Sequence, residues 1–148
     1  MTAALLLLSL YLPFRVEASL YVAAVVWGHD PATFRGLAVV EAGPKLESNP
    51  RRYGTGKRWG APPLGRRWKF AGLMQLSPGR PVWHDDQPKI PPGEVLVNSP
   101  GVSAYFGAWH LAEWREHCGT KRALEAWHSG KCLAPGSFTA AVRAARRR

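Results

Sequence analysis

Glu41 stands at the end of an apolar stripe that fits one face of a helix. Phe34, Leu37 and Ala38 precede it at positions i, i+3 and i+4, and Glu41 itself is i+7. A charged carboxylate is disfavoured on a buried face, and the negative end of the helix macrodipole disfavours it again. Both effects favour the uncharged acid, which can donate a proton to a leaving oxygen. The pattern therefore predicts a general acid at position 41.

Other acidic positions offer alternatives. The Glu41 side chain would lose this role if it rotated out of the last helical turn into water. Glu47 precedes Ser48 and is a rival acid, but segment 47–50 ends in proline and has no apolar stripe, so we favour Glu41. Asp85 and Asp86 would supply a second carboxylate for a hydrolytic reaction, or they are exposed turn formers in a proline-rich loop.

A basic, aromatic segment separates Glu41 from the rest of the chain. Trp59 and Trp68 lie among five Lys and Arg residues, and the whole chain has a formal net charge of +10. Such a segment suits an anionic cell-wall polymer, with tryptophan stacked on sugars, or a nucleic acid, with tryptophan stacked on bases. A tryptophan packed under its own loop is a third interpretation. The basic residues concerned are Lys57, Arg58, Arg66, Arg67 and Lys69.

Capping residues mark where the helices begin and end. Asp30-Pro31 starts the helix that carries Glu41, and Gly43-Pro44 ends it. Residues 44–69 read as a long loop or small irregular sheet, and 81–100 as a second loop with five prolines. The fold class predicted is a mainly α single domain with long irregular loops and room for a small β-element. Besides the Glu41 helix, apolar segments or helices are expected at 20–27, 102–118, 121–128 and 137–145.

The 148 residues suffice for one domain. Residues 3–14 are too short an apolar run for a membrane span but suit a secretory signal, and Val16-Glu17-Ala18 offers a cleavage site. An uncleaved first helix is the alternative, because no Lys or Arg precedes the run. We therefore divide the chain into a signal peptide at 1–18, a domain at 19–136 and a basic C-terminal helix or tail at 137–148.

The two cysteines are expected to be unpaired. A helix of about nine residues between Cys118 and Cys132 would hold them ~13 Å apart, beyond the reach of a disulfide. A bridge would require the chain to double back. No Cys-His spacing resembles a zinc site.

Three motifs resemble those of soluble lytic transglycosylases, in the same order. They are His29-Asp30-Pro31 with the helix ending in Glu41, then Gly72-Leu73-Met74-Gln75, then Ala126-Trp127-His128-Ser129-Gly130. Gly107-Ala108 and Leu111 also match, and the similarity extends from about residue 21 to 130.

This resemblance implies a lysozyme-like fold and an enzyme that cuts the glycan strands of peptidoglycan, without metal or cofactor. Glu41 would protonate the glycosidic oxygen and then take a proton from the C6 hydroxyl of muramic acid, giving a 1,6-anhydro end. A monomer is expected. The apolar run at 3–14 predicts export to the periplasm or cell wall without a stable membrane span, and a nucleic-acid partner is not favoured. The substrate-binding residues implied are Gly72, Leu73, Met74, Gln75, Trp127 and His128.

The chain departs from the family pattern at three positions. Ala42 replaces the serine that commonly follows the acid, Trp127 replaces a tyrosine, and His128 replaces an asparagine that contacts substrate. These changes keep two alternatives open, a muramidase that uses water and an inactive wall-binding module. A nucleic-acid-binding protein is less favoured, because no nucleic-acid motif is present.

Overall fold

A computed structural model describes residues 16–46, 70–146 and the backbone of 51–52. Within these ranges the chain forms six helices and one pair of short strands, which confirms the mainly α fold class. The helices are α1 (Val16–Val26), α2 (Pro31–Ala42), α3 (Gly93–Asn98), α4 (Pro100–Cys118), α5 (Ala123–Ser129) and α6 (Ser137–Ala145). The strands β1 (Arg51–Arg52) and β2 (Phe70–Ala71) pair antiparallel.

Helix α2 begins and ends where its capping residues predict. The Asp30 carboxylate accepts the Thr33 backbone N–H at 2.9 Å, and Pro31 occupies the first turn. At the other end Gly43 has φ 93°, a left-handed conformation that favours glycine. The predicted stripe is buried, with Phe34 and Leu37 fully inaccessible to solvent.

Helix α4 is the longest helix and contacts α1, α3 and α5. It begins at Pro100, slightly before the predicted start, because the Ser99 hydroxyl accepts the Val102 N–H at 3.3 Å and caps it. The preceding α3 lies in the segment predicted to be a proline-rich loop. Its two valines are poor helix formers, but Leu96 and Val97 are buried, so tertiary packing stabilises the helix.

Helix α6 is part of the core and packs against α2. The segment predicted to be a basic C-terminal helix or tail is a helix, and its residues Phe138, Val142 and Ala145 are buried. The two helices pack closely at Gly36, where a Cβ would lie only 2.5 Å from the Val142 carbonyl oxygen, so this position requires glycine. The basic residue Arg143 is exposed.

The predicted boundary between residues 18 and 19 falls inside α1. Ser19 and Leu20 are buried, and the Glu17 carboxylate accepts three hydrogen bonds at 2.8–3.0 Å from the Arg35 guanidinium of α2. The apolar run at 3–14 lies outside the described residues. Among the helices described, none is long and apolar enough to cross a membrane.

The expectation of two unpaired thiols is wrong, because Cys118 and Cys132 form a disulfide with a Cα–Cα distance of 5.2 Å. The estimate from sequence assumed a straight helix between them. Instead, α4 ends at Cys118, Gly119 turns the chain with φ 81°, and a second left-handed glycine, Gly130, follows α5. The chain therefore doubles back, and the bridge closes a loop that contains all of α5.

We expect opening this disulfide to lower the free energy of unfolding by about 3 kcal/mol, because the bridge restricts a loop of this size in the unfolded chain. Urea denaturation of the oxidised and reduced protein measures the difference. A Cys118→Ser/Cys132→Ser double variant should unfold at the same midpoint as the reduced wild type. Equal midpoints for oxidised and reduced protein would contradict this prediction.

Candidate active site

The Glu41 carboxyl group is half-buried in the last turn of α2 and contacts α5. Its Oε1 accepts a hydrogen bond from the Trp127 indole N–H at 3.0 Å. The two residues are 86 positions apart, so this contact depends on the tertiary fold. The structure thus brings together two residues that the sequence placed in one site.

The backbone around Glu41 holds the end of α2 in place. The Gly43 N–H donates to the Val39 carbonyl at 2.8 Å and closes the final turn. Ala42, where the family resemblance expects a serine, is half-buried and packs against the hydrophobic core. Position 42 therefore supplies apolar packing and no hydroxyl group.

Helix α5 is fixed from both of its neighbours. The Cys118–Cys132 disulfide ties the segment after α5 to the end of α4, and residues 123–126 are buried. On the other side, Glu125 Oε2 accepts the backbone N–H groups of Gly136 at 2.9 Å and Thr139 at 3.2 Å, and the Thr139 hydroxyl at 2.9 Å. Glu125 therefore caps α6 from the adjacent helix, and these contacts set the position from which Trp127 extends.

His110 on α4 lies beside Trp127, with ring centroids 5.3 Å apart and planes at 65°. Its Nδ1–H donates to the Val82 carbonyl at 2.7 Å, and its Nε2 accepts the Trp114 indole N–H at 3.1 Å. Burial lowers the pKa of His110, against smaller opposing effects of the Val82 hydrogen bond and Glu113. Nothing in the sequence singles out His110 as a site residue; its only signal is the i, i+4 spacing to Trp114.

The Gly72–Gln75 turn is held by its own hydrogen bonds. Gly72 has φ 76°, and a Cβ there would lie 2.6 Å from the Leu96 carbonyl oxygen. The Gly72 carbonyl accepts from both the backbone N–H and the side-chain amide of Gln75, at 3.2 and 2.8 Å. Gln75 is 7% exposed and has φ 49°. The turn is thus a rigid feature whose conformation requires glycine at position 72.

The Leu73 and Met74 side chains lie in the core and are 0% exposed. Met74 packs directly over Gly107, where a Cβ would lie 2.6 Å from Met74 Cγ. The Met74 N–H donates to the Ser103 hydroxyl at 3.0 Å. In this conformation neither residue is accessible to a sugar chain, and the two side chains predicted to line a glycan cleft lie in the core instead.

His128, the next residue after Trp127, is exposed and directed to the opposite side of α5. Its ring stacks on Phe138 of α6, with centroids 4.5 Å apart and planes at 8°. The structure therefore pairs Trp127 with Glu41 but pairs His128 with α6.

The His29-Asp30-Pro31 motif has a structural explanation. His29 Nε2 donates to the Ala108 carbonyl at 2.7 Å, and Arg115 donates to the Gly28 carbonyl at 2.6 Å. Burial lowers the pKa of His29, and the Arg115 charge acts in the same direction against the Ala108 hydrogen bond. These contacts fasten the α1–α2 junction, and hence the start of the Glu41 helix, to α4.

The remaining sequence candidates are not part of this arrangement. Asp85 and Asp86 are exposed. Glu47, Trp59, Trp68 and the basic residues around these tryptophans lie outside the described residues. Within the described part of the chain, one group has metal-ligand spacing, His117 with Cys118 and Cys132, but both sulfurs are engaged in the disulfide.

No protein-family model, no curated protein and no solved structure matches this chain.

Glu125 should make stability depend on pH in the acid range. The hydrogen bond from the Gly136 N–H has the largest effect and those from Thr139 the next largest, and together they hold the pKa of this carboxyl below its ordinary value. Because the pKa of Glu125 is lower in the folded state than in the unfolded state, its charge stabilises the fold at pH values above the unfolded-state pKa of about 4.3. This contribution is lost as the pH falls through the folded-state pKa. Glu125→Gln should therefore be less stable than wild type at pH 7, with the difference shrinking in acid.

Urea denaturation at pH 7 and pH 3 measures this effect. Glu116→Gln is the matched control, because Glu116 is an exposed glutamate on α4 and has no such capping role. A difference between Glu125→Gln and wild type that stayed constant with pH would contradict the assignment.

Proposed function

We propose that this protein is a peptidoglycan lytic transglycosylase of lysozyme-like fold, with Glu41 as its acid and base. The observation that carries the proposal is the half-buried Glu41 carboxyl group, placed by a buried helix face and held by the Trp127 indole N–H. A carboxyl group in this environment has a defined orientation, which acid catalysis requires. We choose the type of reaction from the order of the sequence motifs, which resembles that of lytic transglycosylases.

The indole contact assigns different roles to the two carboxyl oxygens. An indole N–H only donates, so Oε1 is an acceptor whether Glu41 is charged or neutral. In the acid form the carbonyl-type oxygen is the better acceptor, and the transferable proton therefore resides on Oε2. The Trp127 bond fixes the plane in which that proton is presented.

The reaction begins when Glu41 protonates the oxygen between N-acetylmuramic acid and N-acetylglucosamine, and the glycosidic bond breaks. The N-acetyl group of the muramic acid stabilises the resulting oxocarbenium-like state, so that no second carboxylate is needed as a nucleophile. The Glu41 carboxylate then accepts the proton of the C6 hydroxyl, whose oxygen closes on C1. The products are a free N-acetylglucosamine hydroxyl and a 1,6-anhydromuramic end, with no water consumed.

Two properties support peptidoglycan outside the cytoplasm as the substrate. The net charge of +10 favours binding to an anionic wall polymer. The disulfide is typical of proteins that fold in oxidising compartments, which agrees with export to the periplasm or cell wall. We propose that the protein acts there as a monomer, with the half-buried Trp127 contacting the glycan beside Glu41.

Substitution of Glu41 tests the catalytic assignment. Glu41→Gln keeps an acceptor for the Trp127 N–H but cannot donate a carboxylic proton, so lysis of purified peptidoglycan should fall by roughly 10²- to 10⁴-fold. A turbidity assay measures lysis, and circular dichroism checks that the fold is intact. Glu47→Gln is the matched control and should keep wild-type activity.

Equal activity of Glu41→Gln and wild type would overturn the assignment. The departures at positions 42, 127 and 128 favour one rival, a wall-binding module without activity. Wild-type protein that co-sediments with insoluble peptidoglycan and releases no soluble fragment would establish that rival.

A further inference from the structure

His110 is a partly buried histidine to which the proposed reaction gives no role. Its ring meets the Trp127 ring edge-on at 5.3 Å, and Trp127 in turn donates to Glu41. His110 belongs to α4, whereas Trp127 belongs to α5 and Glu41 to α2. The three side chains therefore form a continuous contact across three helices.

The His110 ring is locked by a hydrogen bond at each nitrogen. The Trp114 indole can only donate, so Nε2 of His110 must be the unprotonated acceptor. The Val82 carbonyl can only accept, so Nδ1 must carry the hydrogen. This pair of bonds defines one neutral tautomer and prevents the ring from flipping, and burial favours the same neutral form.

A fixed ring beside Trp127 restricts where the indole can lie. Without its support, rotation of Trp127 about its side-chain bonds would carry the N–H away from Glu41 Oε1. Aromatic pairs prefer edge-on contacts of this kind. The hydrogen bonds that join His110 to Val82 and Trp114 therefore restrict the Glu41 carboxyl group indirectly, because the His110 ring restricts Trp127 and Trp127 binds Glu41.

We propose that His110 is a positioning residue, which orients the Glu41 carboxyl group through Trp127 and does not itself touch the glycan. This inference rests on the proposed function of Glu41 as the acid. Small displacements of a reacting group cost much rate and little affinity, so loss of His110 should lower kcat and leave KM nearly unchanged.

The test compares two histidines that receive the same substitution. His110→Gln removes the ring beside Trp127. His84→Gln is the control, because His84 is exposed and its ring packs edge-on against Trp83, with centroids 6.4 Å apart. The first readout is the Trp127 indole N–H signal in nitrogen-15 NMR, assigned by its disappearance in Trp127→Phe. The second is kcat and KM on soluble peptidoglycan oligosaccharides.

In His110→Gln we expect the Trp127 indole signal to shift and its hydrogen exchange to accelerate. We expect kcat to fall by roughly tenfold to a hundredfold with KM within about twofold of wild type. His84→Gln should match wild type in both readouts. Trp114→Phe keeps an aromatic ring but loses the donor to His110 Nε2, so it should change both readouts in the same direction, and it replaces His110→Gln if that variant fails to fold.

An unchanged Trp127 signal and unchanged kcat in folded His110→Gln or Trp114→Phe would overturn the positioning role. A parallel loss of stability with no change in kcat would also overturn it, because that result indicates packing alone. The NMR readout needs no substrate. Wild-type protein that cleaves no glycan would therefore refute the proposed function, while the indole signal still decides whether His110 controls Trp127.

Discussion

The hydrogen bond from the Trp127 indole to Glu41 joins two helices that are distant in the chain, and the arrangement of the site depends on it. Helix α2 presents the carboxyl group because its apolar face is buried, and α5 presents the indole because two neighbouring helices hold it in place. The disulfide fixes α5 to α4, and Glu125 fixes it to α6. These restraints on α5 therefore bear on the geometry of one carboxyl group.

Local chemistry explains which parts of the fold are predictable from the sequence. The Asp30 cap and Gly43 define α2 closely, because capping groups act on the backbone within one turn. Helix α3 could not be predicted in the same way, because its valines disfavour a helix and its burial against distant segments decides the outcome. The disulfide was missed for a similar reason, since pairing depends on two left-handed glycine turns rather than on the spacing of the cysteines.

Within the candidate site as well, residues on a periodic helix face were predictable and residues placed by tertiary packing were not. Glu41 was predictable because helical periodicity places it on a buried stripe, and the Trp127 motif resembled a family in which that position lies near the acid. Periodicity cannot specify where a residue of a turn points, so the burial of Met74 over Gly107 emerges only from packing. The role inferred for His110 was inaccessible as well, because its partners Val82 and Trp127 belong to other segments.

We propose that Glu41 cleaves the glycan without a second carboxylate and that the substrate's own C6 hydroxyl, not water, completes the reaction. Mass spectrometry of the fragments that wild-type protein releases from purified peptidoglycan tests this claim most directly. The account predicts muramic ends that are lighter by one water molecule than the ends left by hydrolysis. Fragments with ordinary reducing ends, or no soluble fragments at all, would contradict it.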